Sequence, residues 1–349
     1  MTDRKPSLCL DFDGVIHSYS SGWKGANVVP DPPVPGALDF MVNATDHFRV
    51  AIFSSRSNQP GGLQAMQRWL ANEMIEVGTN AHPVFVDVTG NGLLDMVVGN
   101  HFYYEASGVK VGQLALYENI GTSTGPSFRL VANNYSNFSS LGLPGMLPTF
   151  GDLDNDGDMD MLTGDFEGFV NYFENAGGQG SPMNLSLTTQ HFMNIDAGQY
   201  NSPQLIDIDR DGDLDLLCGE RSGTVLYYEN TGTPSVPMFD STPTEDNFGG
   251  IDVTPTCCTG YTVPFVYEPT PGVYDMLLGD ETGKIRHYQD IEAYMEQDLD
   301  FSITRVLKTY SNRISPVAVD LTGNGIEEFV YGEYSGGVGM FKRYVQPDT

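Results

Sequence analysis

The chain has 349 residues, 40% of them hydrophobic, with 40 glycines and 21 prolines, the composition of an ordered, turn-rich protein long enough for two or more domains. No run approaches the roughly 18 consecutive apolar residues of a membrane helix, and Met1-Thr2-Asp3-Arg4-Lys5 leads into an apolar stretch too short for the core of an export signal. A net charge of −29 repels phosphate backbones and attracts cations, which argues against nucleic acid as a partner.

Charge also divides the chain: residues 1–74 hold seven acids and six bases, and the remainder 39 acids against 11 bases. In the front segment, Leu8-Cys-Leu-Asp11-Phe-Asp13-Gly14-Val15 reads as a short strand ending in two carboxylates. Pro35 to His47 suits a helix, Val50 to Ser54 a second buried strand, and Gly61 to Met74 an amphipathic helix. This βαβα order begins a parallel α/β sheet, and it sets Asp11 and Asp13 where open α/β sheets place their active sites. Met74 then passes into different sequence with no Gly, Ser or Pro linker, a join expected of a fusion more than of two independently evolved domains.

From residue 75 onward the sequence repeats. Pro83, Pro148, Pro203, Pro264 and Pro316 recur at spacings of 65, 55, 61 and 52 residues, each with an acid four positions later: Asp87, Asp152, Asp207, Glu268 and Asp320. A Gly/Asp-rich loop leads to a second acid, three apolar or small residues and a glycine, as in Asp95-Met-Val-Val-Gly99, Asp160-Met-Leu-Thr-Gly164, Asp215-Leu-Leu-Cys-Gly219, Asp275-Met-Leu-Leu-Gly279 and Glu328-Phe-Val-Tyr-Gly332. Four units continue through a Gly-bounded turn such as Gly164-Asp-Phe-Glu-Gly168 into an aromatic strand such as Val170-Asn-Tyr-Phe173. Each unit therefore predicts a small antiparallel sheet that cannot bury itself alone. Such units stack as propeller blades or as a solenoid; a length of about 50 residues without a recurring helix favours a mainly β fold, a propeller of about five blades. Ile75-Glu-Val-Gly78 matches Ile195-Asp-Ala-Gly198 in its distance to the loop acid, so the two ends of the repeat region are expected to complete one blade between them. Cys9 and Cys218 read as buried thiols, Cys257-Cys258 sit together in a loop, and no cysteine has metal-ligand spacing.

Two loops carry the strongest chemical signal: Asp152-Leu-Asp154-Asn-Asp156-Gly157-Asp158-Met-Asp160 and Asp207-Ile-Asp209-Arg-Asp211-Gly212-Asp213-Leu-Asp215. Acids at positions 1, 3, 5 and 9, a glycine for the bend at 6 and a carbonyl at 7 can wrap oxygens around one hard cation; calcium suits them better than magnesium or zinc. Position 12 is Thr163 or Cys218, and strand-like runs flank the loop, so it is no EF-hand. Weaker versions offer Asp87, Thr89, Asn91 and Asp95, and Asp320, Thr322, Asn324 and Glu328. The unit after Pro264 has Glu268-Pro-Thr-Pro-Gly-Val-Tyr-Asp275 instead, and no metal is expected there. Asp/Asn/Gly clusters can also be turn formers only.

Residues 75–349 resemble the FG-GAP/VCBS repeat family, whose blades build the calcium-bearing propellers of integrin α-subunits and many secreted bacterial proteins. The resemblance rests on the DxDxDGxD loops and the trailing apolar run with its glycine. It implies a structural calcium ion in each intact loop, a binding or adhesion role toward a protein or carbohydrate, and action outside the cell, with no catalytic residue. Residues 1–74 resemble the haloacid dehalogenase-like (HAD) phosphohydrolases: Asp11-Phe-Asp13-Gly-Val matches the first motif of that superfamily and Ser54 the second. That implies Asp11 as nucleophile, Asp13 as acid/base, Ser54 as phosphate ligand and Mg2+ as cofactor. The later lysine and acidic pair of the superfamily have no counterpart before the repeats, since Lys110, Lys284, Lys308 and Lys342 all lie within them. The expectation is a calcium-binding propeller behind an inactive, truncated HAD-like piece. A propeller-targeted magnesium phosphohydrolase and a plain structural spacer are the alternatives.

Overall fold

A proline, an apolar run and a closing glycine organise most of the chain, and in the computed structural model each proline is the second residue of the first strand of a sheet. The described residues are 7–13, 15–24, 31, 34, 37, 49–54 and 59, then 79–101, 103–104, 110–254, 259–291, 305–308, 312–334 and 336–341. They fall into two units, Met1–Glu76 and Val77–Thr349. The predicted helices of the front segment (apart from helical Ala37), Cys257-Cys258, Lys342 and the Ile75–Gly78 match lie outside the described residues.

In the first unit, β1 (Ser7–Asp11) runs parallel to β2 (Arg49–Phe53), with Asp11 opposite Phe53. After β1 the chain turns on Phe12, whose carbonyl accepts the amides of Ile16 and His17. Phe12, Ile16 and His17 are fully buried.

The described residues of the second unit form five repeat sheets in chain order, all antiparallel, and one small extra hairpin. The first is β3 (His82–Val86), β4 (Asp95–Gly99), β7 (Leu114–Asn119) and β8 (Phe128–Ala132), with a small hairpin of β5 (Tyr103–Tyr104) and β6 (Lys110–Val111) between. The second is β9 (Leu147–Gly151), β10 (Asp160–Gly164), β11 (Val170–Asn175) and β12 (Leu185–Thr189). The third holds β13 (Ser202–Ile206), β14 (Asp215–Gly219) and β15 (Val225–Tyr228). The fourth has β16 (Val263–Thr270), β17 (Val273–Gly279), β18 (Lys284–Tyr288) and β19 (Arg305–Lys308); the fifth has β20 (Ser315–Val319), β21 (Glu328–Gly332) and β22 (Val338–Phe341). Every repeat proline thus lies on an edge strand, where a missing N–H is tolerated.

The five sheets share one register. The residue before each proline pairs with the closing glycine of the second strand: His82 with Gly99, Leu147 with Gly164, Ser202 with Gly219, Val263 with Gly279 and Ser315 with Gly332. Those glycines are required by close approach. A Cβ would overlap a carbonyl oxygen of the next repeat: Met146 at Gly99, Asn201 at Gly164, Thr262 at Gly219 and Ile314 at Gly279. At Gly332 the carbonyl met is that of Ala81, in the first repeat. First strands neighbour one another in the same order, β3 with β9, β9 with β13, β13 with β16 and β16 with β20, and β20 packs against β3.

Apolar residues on both faces of each second strand explain why its sequence does not alternate. Leu216 joins Leu162, Val170 and Leu205 between the second and third sheets, and its neighbour Leu217 joins Val266, Met276 and Leu278 between the third and fourth. Leu162, Leu216, Leu217 and Leu278 are fully buried, each contributing roughly 1.5–3 kcal/mol.

Candidate functional site

The loops that join first to second strands fold alike in four sheets. The position-1 carboxylate accepts the amides of positions 5 and 6: Asp152 from Asp156 at 3.1 Å and Gly157 at 3.0 Å, Asp87 from Asn91 at 3.1 Å and Gly92 at 2.8 Å, Asp320 from Asn324 at 3.1 Å and Gly325 at 2.7 Å. Asp207 accepts Gly212 at 3.2 Å. The position-6 glycines need φ between +75° and +98°, where a Cβ is disfavoured. With the bend fixed, Asp152, Asp154 and Asp156 bring oxygens within 4.8 Å of one another, and Asp207, Asp209 and Asp211 do the same.

Neighbouring oxygens add to that concentration of negative charge. Asp158 is buried; one oxygen accepts the Gly178 amide at 2.7 Å and the other is buried without a partner, as are Asp213 Oδ1 and Asp207 Oδ1. Burial, then the adjoining carboxylates, pushes both Asp158 and Asp213 above the usual carboxylate range. Three converging carboxylates with buried, undonated oxygens beside them form a donor set that fits a hard cation with oxygen ligands. Residues 152, 154 and 156, and 207, 209 and 211, would hold it and have their mutual repulsion relieved.

Position 9 also ties the loop to its sheet. Asp160 accepts the Asn175 amide at 2.8 Å and the Tyr172 hydroxyl at 3.1 Å; Asp215 accepts the amides of Asn230 at 2.8 Å and Ile208 at 3.2 Å. Asp95 does the same for Val88, Thr89 and Asn119, and Glu328 accepts Leu321. These side chains staple each loop to its sheet, and neither Asp160 nor Asp215 is within the close three-carboxylate groups. Burial pushes both up to about 6, against the opposing effect of the hydrogen bonds.

The asparagines that follow are a set the sequence reading missed. Asn119, Asn175 and Asn230 each donate to the loop backbone, at Leu94, Met159 and Leu214, and each accepts two amides of the next turn. Their signal was present as Tyr117-Glu-Asn119-Ile-Gly121, Phe173-Glu-Asn175-Ala-Gly177 and Tyr228-Glu-Asn230-Thr-Gly232.

In the two weaker loops, Thr89 and Thr322 occupy position 3 with buried hydroxyls that have no partner, and neither loop gathers three acids. The fourth sheet replaces the loop by a tight hairpin in which Thr270 pairs with Val273 and Glu268 accepts the Gly272 amide at 2.6 Å.

In the first unit the structure brings two of the three expected residues into contact. Ser54, at the end of β2, donates to Asp13 Oδ2 at 2.7 Å, and His17 Nδ1 lies 3.3 Å from Asp13 Oδ1. The other His17 nitrogen accepts the Asp31 amide at 3.2 Å. Asp11 is exposed at the end of β1.

Strands predominate among the described residues, and the FG-GAP-like repeat family model matches residues 87–163 and 152–218. The chain is thus a mainly β protein with FG-GAP-like repeats. Both acidic loops lie within the matched residues. No curated protein matches the chain.

Proposed function

We propose that residues 77–349 are a five-bladed, calcium-stabilised propeller that serves as a binding or adhesion module. The observation that carries the reading is the pair of loops in which three carboxylates lie within 4.8 Å of one another, next to buried oxygens without donors. Closure is supported by Gly332 and β20 meeting the first repeat as each earlier repeat meets its successor. A five-bladed ring leaves no unpaired repeat, and calcium at extracellular, millimolar levels would also fill loops with fewer carboxylates.

Calcium titration by calorimetry with parallel thermal melts tests this. Two strong sites are expected, with stabilisation of about 2.7 kcal/mol per site once calcium exceeds its Kd a hundredfold. Asp154→Ala/Asp209→Ala should lose both the heat and the shift. A chain whose melting ignores calcium would overturn the reading.

A second reading, a magnesium-dependent phosphohydrolase in the first unit, is favoured by the Ser54–Asp13 hydrogen bond at the ends of two parallel strands. Phosphate release from a generic ester in magnesium, abolished by Asp11→Asn, would establish it. No turnover would leave the first unit without that activity.

A further inference from the structure

At the end of the first strands opposite the acidic loops, two sets of equivalent residues converge. One set lies three positions before each repeat proline: Asn80, Gly145, Tyr200, Tyr261 and Arg313, all left-handed, with φ of 55°, 133°, 62°, 48° and 51°. The other lies two positions after each closing glycine: His101, Phe166, Arg221, Glu281 and Tyr334. Backbone bonds interleave them. Tyr200 donates its amide to Phe166, Tyr261 to Arg221, Arg313 to Glu281 and Asn80 to Tyr334, which carries the series from the last repeat back to the first.

Their chemistry differs from the rest of the chain. Four of these ten positions are Tyr or Phe in a protein that is 11% aromatic, and only one is acidic in a chain of net charge −29. Tyr200 packs edge-on against His101, Phe166 and Tyr261, with centroids 4.4, 4.6 and 4.6 Å apart. The Arg313 guanidinium lies 3.8 Å over the Tyr261 ring and 4.9 Å from that of Tyr334. A tyrosine or arginine adopts the left-handed conformation less readily than the glycine or asparagine found at the equivalent positions.

Asn80, His101, Tyr200, Tyr261 and Arg313, among others, line a cavity of about 20 Å³. That is room for one water-sized group, which needs roughly 10–15 Å³. The Asn80 amide group lies 2.7 Å from His101 Nδ1, and the two remaining polar atoms, Asn80 Oδ1 and His101 Nε2, are buried with no partner. Both residues are more than nine-tenths buried, and burial holds His101 well below its usual pKa, so it is neutral. Whichever way the amide and tautomer are arranged, the pair is left with one donor and one acceptor. A carboxylate would oppose the acceptor and an ammonium the donor; a hydroxyl satisfies both. Arg313, 3.7 Å from Glu281, is no open anion site.

We propose that this end of the strands binds a saccharide, one hydroxyl entering the cavity beside His101 and Asn80 while the sugar ring lies against Tyr334, the exposed tyrosine of the set. Aromatic faces take the C–H face of the ring, and the Arg313–Glu281 pair supplies the mixture of donors and acceptors that neighbouring hydroxyls require. The inference rests on the propeller reading and names the ligand class and the end of the ring that receives it.

The test uses the full chain in saturating calcium, with glucose, galactose, mannose, N-acetylglucosamine, fucose and myo-inositol as separate probes, and acetate and tetramethylammonium as controls. Saturation-transfer NMR detects binding and calorimetry measures it. At least one hydroxylated probe should bind and neither control should. Tyr334→Ala, at an exposed side chain, and His101→Phe should each weaken binding at least about tenfold while the rise in melting point on adding calcium persists in both. Silence from every hydroxylated probe, preference for a control, or indifference to both substitutions would overturn the inference. If calcium still stabilises the chain in that case, only the ligand assignment falls; if it does not, the propeller reading falls too.

Discussion

Between their first two strands the second and third sheets carry nine-residue loops with five aspartates each, whereas the fourth turns through a hairpin at Thr270–Val273. All three keep the same pairing of the residue before proline with the closing glycine. They also keep the position-9 carboxylate: Asp275 accepts the Asp290 amide at 3.0 Å, as Asp160 accepts Asn175 and Asp215 accepts Asn230. In the fourth sheet its other oxygen lies 2.7 Å from His287 Nε2. The comparison divides the aspartates by role. Position 9 bonds to the sheet and persists where the loop is gone; among the described residues, positions 1, 3 and 5 cluster as three carboxylates only in the two loops proposed to hold calcium.

The largest effect should fall on what the three sheets share. Gly164→Val and Gly279→Val each push a side chain into the backbone of the next repeat, and each should cost more than about 4 kcal/mol in denaturant unfolding, with or without a loop beside it. Tolerance of either would break the argument that these glycines join the repeats.

Acid titration separates the interior from the loops. Burial holds His82 down at about 4 against its usual 6.5. The folded chain therefore binds fewer protons there, and stability present above pH 6.5 is lost as pH falls toward 4, by roughly 3 kcal/mol. Asp160 and Asp215 act in the opposite sense: raised from 3.8 to about 6, they contribute stability below pH 3.8 that is lost as pH rises through 6. Melts across this range on wild type and His82→Gln should show the acid-side slope reduced in the variant. Calcium should suppress the loss on the neutral side.

Removing the staple is next in size. Asp215→Ala leaves the buried amides of Ile208 and Asn230 without an acceptor, and Asp275→Ala leaves the Asp290 amide and the buried His287 ring without theirs; each should cost about 1–3 kcal/mol, and the penalties should be alike without calcium. Asp209→Ala should be nearly silent under the same conditions. If Asp209→Ala proved as costly as Asp215→Ala, the division of roles would fail.

The smallest effect is expected at Arg210, which bridges the two kinds of repeat by pairing with Glu268 at 3.2 Å and lying 3.9 Å over Tyr274. Both ends of the ion pair are well exposed, so Arg210→Ala should cost less than about 1 kcal/mol by chemical denaturation.

The sequence by itself determined the strands of the repeats, their antiparallel order, the sharp bends at Gly157 and Gly212 and the clustering of aspartates, because each follows from contacts within a dozen or so residues. It also placed Asp13 and Ser54 at strand ends, where they meet. Only tertiary structure decided that Gly332 faces Ala81, that Asp160 and Asp215 serve the sheet, and that Asn80, Tyr200, Tyr261 and Arg313 converge. The physical reason is distance along the chain. A carboxylate's role depends on whether an amide fifteen residues away points at it, and the cavity is assembled from residues more than two hundred positions apart, which no local pattern of charge or hydropathy encodes.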